Sequence, residues 1–264
     1  MTERVIVSVD GGVAHVRMNR PDKRNGLDLP MCEGLVAAGE RLMADATVRA
    51  VVLSGEGRAF CAGLDVAAFF SMGAEAGQRL LDRAGGVANV AQRCAWIWQE
   101  VPVPVIAAVH GACFGGGLQI ALGADIRIAA PDARLSVMEV RWGLIPDMAI
   151  TQSLPRLVNI DVAKELTFTG RRVSGAEALA LGLVTRLAGD PLAAARQLAA
   201  EIASKSPDAI RAGKRLLDES WTAPAADALL LETELQKALI GSPNQLAAMT
   251  AGVTKEPAVF QDPS

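Results

Sequence analysis

The sequence predicts an α/β domain with a helical C-terminal part, and three observations carry that prediction. Twice in the first half, an apolar run leads into a glycine-rich turn and then a helix-like stretch. That order is the grammar of an α/β domain with sites at its strand ends. From Asn159 onward the pattern turns helical. Finally, 51% of the 264 residues are hydrophobic and 21% are charged, enough to build one large core or two small ones.

Taken in order, residues 4–9 and 13–18 alternate or run apolar around Asp10-Gly11-Gly12, a hairpin signal. Residues 30–44 read as a helix, with Pro30 suited to its first turn and Met31, Leu35, Ala38 and Leu42 at helical spacing. Residues 49–53 and 105–109 read as buried strands, and each leads to a glycine-rich segment. Residues 126–128 and 135–137 supply two further short strands. Ser174 and Glu177 form a capping box before an apolar run. Asp190-Pro191 and Pro207-Asp208 open further helices, and Leu231, Leu235 and Leu239 mark another that Gly241-Ser242-Pro243 stops. The stretch 69–100 is the least readable. It scatters Gly73, Gly77, Gly85 and Gly86 among helical pieces ahead of Trp96 and Trp98, and a kinked surface helix suits it as well as a pocket wall.

The glycine-rich segments are GRAFCAGLD, residues 57–65, and HGACFGGGLQIALGAD, residues 110–125. Glycine allows unusual dihedrals and a close approach to a ligand. A helix start adds unpaired N–H groups and a partial positive charge. Two such donors aimed at one carbonyl oxygen make an oxyanion hole; each segment alone also suits a tight turn beside a sheet.

Together the two segments resemble the signatures of the crotonase, or enoyl-CoA hydratase/isomerase, superfamily. The resemblance begins at Arg20-Pro21-Asp22-Lys23-Arg24-Asn25-Gly26-Leu27 and runs past SGAEALALGLV, residues 174–184. It implies a crotonase-like spiral of ββα units over residues 1–200 that carries an acyl-CoA site. Residues 201–264 would form a helical region for trimerisation. It further implies that the N–H groups of Leu64 and Gly116 hold the thioester oxygen, with Ala62 and Gly63 beside them. Lys23 and Arg24 would approach the CoA nucleotide. The expected partner is an acyl-CoA thioester in fatty-acid metabolism, with no cofactor beyond the CoA of the substrate, and the expected assembly is a homotrimer or a hexamer.

An oxyanion hole stabilises an enolate but does not form one; a base or a water-activating carboxylate must do that. Where hydratases of the family carry one glutamate, this chain has Gln119, which orients water or a substrate group but takes up no proton at neutral pH. The other hydratase glutamate is matched by Glu139 in LSVMEVRWGLIPDM, residues 135–148, and Asp147 follows eight residues later. That Glu/Asp pair resembles the dienoyl-CoA isomerase branch, which has an aspartate where Gln119 stands. Burial near Trp142 and Ile145 would raise the Glu139 pKa toward a useful range. Asp147, between Pro146 and a helical stretch, suits a helix cap as well as a catalytic acid. Asp65 reads as an N-cap, Asp125 as structural, and His110 as a packing or hydrogen-bonding group.

Composition sets the outer limits. No apolar run reaches about eighteen residues and no charged-then-apolar leader opens the chain, so neither a membrane span nor secretion is expected. Cys32, Cys61, Cys94 and Cys113 form no CxxC, and His15 and His110 are the two histidines. Buried reduced thiols in a cytoplasmic protein are expected, without a metal site. A net charge of −3 with no long basic run disfavours nucleic acid. The leading expectation is a double-bond shift through a thioester enolate. Hydration of a 2-enoyl-CoA by Glu139, with Gln119 positioning water, is the nearest rival. A non-catalytic acyl-CoA binder is a third reading. A serine protease on a related fold is the least favoured, since no serine stands in a motif with either histidine.

Overall fold

The computed structural model describes residues 3–71, 78, 80–83 and 86–263. Of the glycines noted in the 69–100 stretch, Gly73, Gly77 and Gly85 fall outside these residues.

The chain opens with a hairpin, β1 (Val5–Asp10) and β2 (Val13–Met18), whose register places Asp10 opposite Val13. The two turn residues, Gly11 and Gly12, both have positive φ (54° and 78°), the mirror-image turn that matches strand twist. Asp28 then caps α1 (Leu29–Met43) by accepting from the Met31 N–H at 3.0 Å. β3 (Ala50–Gly55), β4 (Val105–Val109), β6 (Ile126–Ala129) and β9 (Arg186–Leu187) extend β2 in parallel, giving a six-stranded sheet ordered β1-β2-β3-β4-β6-β9. A second sheet holds β5 (Ala112–Phe114), β7 (Arg134–Ser136) and β8 (Val173–Ser174), in that order.

The central strands β3 and β4 are covered on both faces and read as nearly continuous apolar runs, whereas the edge strand β1 alternates and leaves Ser8 and Asp10 exposed. Val51, Leu53, Val105 and Ala107 point into the main core. There they join Met31, Leu35 and Leu42 of α1, and Ile97 and Trp98 of the helix Val90–Glu100. Ala50, Val52, Ile106 and Ile128 face the other way, onto Ala195 and Ala199 of the helix Pro191–Ala203. The four cysteines are free and buried, and Cys61 faces Cys113 of β5 across an isolated parallel bridge.

Helix starts follow the expected signals, with Asp190 and Ser206 accepting from the Ala193 and Ala209 N–H groups. One expectation is half met. Ser174 accepts from the Glu177 N–H at 3.1 Å, but the Glu177 carboxylate turns outward to Arg171 instead of closing the box. The full capping box belongs to Asn89 and Gln92, at the start of Val90–Glu100. Beyond the sheet-covering helix, Pro207–Ser220, Ala225–Leu239 and Pro243–Thr254 make up the C-terminal helices. No residue of Ala225–Leu239 is buried in the single chain. Among the described residues no helix is long and apolar enough to cross a membrane.

Candidate active site

The two glycine segments are held together by backbone pairing. The Cys61 N–H donates to Ala112 O at 3.0 Å and the Phe114 N–H to Cys61 O at 3.0 Å, so the first segment lies along β5. The Leu27 N–H donates to Gly63 O at 2.8 Å, and the Asp65 N–H donates back to Leu27 O at 2.9 Å. These bonds bracket Leu64, whose own N–H therefore faces away from Leu27, as alternation in a parallel bridge requires. Gly116 begins the helix Gly116–Gly123, so its N–H belongs to the first turn that the helix cannot pair. Among the described residues, neither the Leu64 nor the Gly116 N–H has a protein acceptor.

The glycine triplet is dictated by close approach. A β-carbon on Gly115 would lie 3.1 Å from Glu139 Oε1, one on Gly116 2.5 Å from Met148 Sδ, and one on Gly117 2.5 Å from Cys61 O. Each glycine admits a different wall of the site. Gly63 does the same from the opposite side, where a β-carbon would meet Phe114 O at 2.6 Å.

Glu139 follows β7 and opens a single 3₁₀ turn, Glu139–Trp142, which Gly143 closes at φ 70°. Gln119, one turn into the helix Gly116–Gly123, donates from Nε2 to Glu139 Oε1 at 2.6 Å. Its Oε1 accepts from the Met148 N–H at 2.8 Å. Glu139 is 9% exposed, and its other oxygen, Oε2, is buried with no hydrogen-bond partner. Burial is the main influence on this carboxyl and pushes its pKa above the ordinary carboxylate range. Its own backbone amide and Gln119 pull back, while Asp147 adds to the rise. Asp147 is raised by burial as well. It lies at the exposed mouth of the site, however, where water screens it more than Glu139.

Leu64, Gly116, Glu139 and Asp147 line one cavity of about 620 Å³, together with Ala62 and Gly63. The remaining wall is largely apolar, with Leu27, Leu29, Leu80, Trp142 and Met148 among its residues. The arrangement can polarise a carbonyl oxygen with two N–H donors and move a proton at a buried carboxylate in a largely apolar cavity. Gln119 is turned toward Glu139 and Met148 and is not part of the cavity lining. Among the described residues, no group of three His, Cys, Asp or Glu side chains is arranged to hold a metal ion.

Lys23 and Arg24 stand exposed outside the cavity, on a turn where the Arg24 carbonyl accepts from the Ala62 N–H at 2.9 Å. This turn is more than the charged loop its sequence suggests. Asn25 is fully buried at φ 55°, and its Nδ2 donates to the carbonyls of Glu56, Ala59 and Phe60 at 2.9, 2.8 and 3.2 Å. Arg20 reaches Asp65 at 2.8 Å and the Gly26 carbonyl at 3.1 Å. Asn25 and Arg20 thus brace the first glycine segment. The available signal was an Asn-Gly pair, which tolerates positive φ. Asp65 also caps its helix, accepting from the Ala68 N–H at 3.1 Å. Asp125 accepts from the Val105 N–H at 2.7 Å and pairs with Lys214, and His110 bonds the Gly57 carbonyl at 3.0 Å.

The family model described as Enoyl-CoA hydratase/isomerase matches residues 8–263. The chain is 39% identical over 224 residues to the mitochondrial Delta(3,5)-Delta(2,4)-dienoyl-CoA isomerase of Homo sapiens. That match spans 79% of this chain and 66% of the relative, just under two thirds of its length. Enoyl-CoA hydratase domain-containing protein 2, also mitochondrial and from Homo sapiens, is 36% identical over 256 residues, 94% of this chain and 85% of that one. Among solved structures, the enoyl-CoA hydratase of Bacillus anthracis superposes with a TM-score of 0.91 at 30% identity, covering 98% of this chain and all of that one.

Proposed function

Because the chain belongs to the enoyl-CoA hydratase/isomerase family, we propose that it is an acyl-CoA enzyme that shifts a double bond through a thioester enolate. One observation carries this reading. Glu139, whose buried Oε2 has no hydrogen-bond partner, lines the same cavity as Leu64 and Gly116, whose N–H groups are unpaired. The thioester oxygen accepts from those two N–H groups, which lowers the cost of placing negative charge on it. Glu139 Oε2 takes a proton from the acyl chain, the electrons move onto the thioester oxygen, and the double bond shifts as a proton returns at another carbon. Asp147, at the mouth of the same cavity, is the second acid for an extended dienoyl system. The relatives named dienoyl-CoA isomerase support this direction.

Hydration of a 2-enoyl-CoA is the second reading, favoured by the hydratase among the solved structures. A spectrophotometric assay separates the two. Turnover of a 3-enoyl- or 3,5-dienoyl-CoA with slow hydration of a 2-enoyl-CoA is expected, and the reverse would overturn the proposal. Binding of acyl-CoA with no turnover of any thioester would favour a non-catalytic role.

The proposed reaction calls for no cofactor beyond the CoA of its substrate, and Lys23 and Arg24, on their exposed turn, are proposed to contact the CoA phosphates. The buried free thiols support a cytoplasmic setting. Leu229 and Leu230 are 60% and 57% exposed on a helix with no buried residue, which supports a trimer or a dimer of trimers with residues 201–264 at the contact. A monomer in light scattering at micromolar concentration would contradict that assembly.

A further inference from the structure

We propose that Gln119 is a positioning residue that directs the working proton of Glu139 to Oε2 and ties that carboxyl to the loop bearing Asp147. The inference rests on the double-bond-shift reading for its consequence and on hydrogen-bond geometry for its substance.

The geometry leaves the Gln119 amide one orientation. The Met148 backbone N–H can donate only, so the end of the amide facing it at 2.8 Å must be the oxygen. The opposite end is then the NH₂ group, which also donates only, and it lies 2.6 Å from Glu139 Oε1. Glu139 Oε1 is therefore an acceptor whether the carboxyl is charged or neutral. Because a carbonyl oxygen accepts a hydrogen bond better than a hydroxyl, the Gln119 donor favours Oε1 as the carbonyl and directs a proton on Glu139 to Oε2, the buried oxygen with no partner.

Two further features make this clamp rigid. Gln119 is 2% exposed and sits on the helix whose first residue is Gly116, so one short element carries both an oxyanion donor and the clamp. On the other side, Met148 is followed by Ala149, a non-glycine residue at φ 60°. Such a conformation persists where the surroundings hold it, and the Gln119–Met148 bond is one of the contacts that holds this turn. Asp147 immediately precedes Met148, so the same bond sets where the second acid stands.

The chemical consequence concerns the choice between isomerisation and hydration. An amide at position 119 accepts no proton, so Glu139 works as a single-oxygen base beside a neutral donor. Proton shuttling along an acyl chain needs no more than that. Water addition by two paired carboxylates is not available to this arrangement.

The test reads the Glu139 carboxyl directly. Carbon-13 NMR titration of selectively labelled glutamate is carried out on the full-length protein, on Gln119→Met and on Gln119→Glu. Glu139→Gln identifies the resonance, and each variant's fold is checked by circular dichroism and melting. Removing a donor to the charged form raises a carboxyl pKa, so Glu139 must titrate at higher pH in Gln119→Met. In Gln119→Glu two adjacent carboxyls must titrate as a coupled pair in two steps. Isomerase kcat should fall about 10²-fold in Gln119→Met with KM little changed, as for a misplaced reacting group. A folded Gln119→Met with an unshifted Glu139 titration would overturn the inference whatever the activity. A shifted titration in a protein that isomerises no thioester would uphold the clamp and reject the proposed reaction instead.

Discussion

A β-carbon on Gly116 would lie 2.5 Å from the sulfur of Met148 and 2.7 Å from Leu27 Cδ1. The start of the helix Gly116–Gly123 and the loop after Asp147 are thus in contact, with glycine setting the spacing. Two substitutions separate spacing from hydrogen bonding. Gly116→Ala keeps the N–H and crowds Met148, whose sulfur lies partway along a flexible side chain, so a moderate loss of kcat is expected. Gly116→Pro crowds the same atoms and also removes the N–H, while proline suits the first helical position. Its turnover should fall a further 10²–10³-fold, roughly the effect of deleting one oxyanion donor. Steady-state kinetics on folded variants check this, and equal activities for the two would remove Gly116 from the oxyanion hole.

The carboxylates make a second prediction. Burial raises Glu139, so the basic form needed for proton abstraction is reached only above the ordinary carboxylate range. The acidic limb of kcat/KM for isomerisation should therefore lie above about pH 4.3, the unperturbed glutamate value. Glu139→Gln keeps the shape and removes the base, and isomerisation should drop about 10²–10⁴-fold. Asp147→Asn should slow a dienoyl substrate more than a 3-enoyl one if both acids carry protons. An unaltered rate with either substrate would leave Asp147 with a structural part alone.

What was legible in the sequence was mainly what backbone geometry demands locally. The hairpin turn at Gly11-Gly12 and the glycine triplet at 115–117 were readable because few residues other than glycine fit such turns and contacts. Glu139 stood out through its fixed distance from both glycine segments. The second sheet was harder to read in full, because β5 and β8 are three and two residues long and carry little periodicity. Gln119 could be seen to lack a proton-accepting carboxylate. Its grip on Met148 spans 29 residues and could not be read. Nor does anything local reveal that Asn25 is buried, since its partners lie 31–35 residues ahead.

Asn25 yields a stability prediction. Its amide serves three buried or half-buried carbonyls, and its oxygen accepts from the Arg20 N–H at 2.8 Å. Asn25→Ala leaves these groups without their partner and puts an alanine at φ 55°. Each orphaned buried polar group costs about 1–3 kcal/mol, and partial rehydration at Glu56 reduces the sum. A loss of about 3 kcal/mol or more is expected in denaturant unfolding. A variant within about 0.5 kcal/mol of wild type, the usual span for surface substitutions, would show that Asn25 is not the brace.

His15 links stability to pH. Its ring is buried against the helix Pro191–Ala203, with Arg196 donating to Nδ1 at 3.0 Å. Nδ1 is therefore the acceptor, and the Nε2–H donates to Ser54 Oγ at 2.8 Å. Burial first, then the charges of Arg196 and Arg17, lower its pKa from 6.5 to about 4, with Glu56 opposing. A group whose folded pKa is depressed favours the folded state in its unprotonated form. The contribution is thus fully present above pH 6.5 and is lost progressively as pH falls toward 4. The loss is on the order of 2 kcal/mol, as a depression of this kind implies once residual solvent screening is allowed for. Acid protonation of other groups also destabilises the protein, so the measurement is a comparison. His15→Gln retains a polar side chain without the titration, and its melting temperature should decline less steeply between pH 6.5 and 4 than that of the wild type. Parallel declines would mean that His15 tolerates its proton in the folded state, and the Arg196–His15 bond could not then be the acid-sensitive contact.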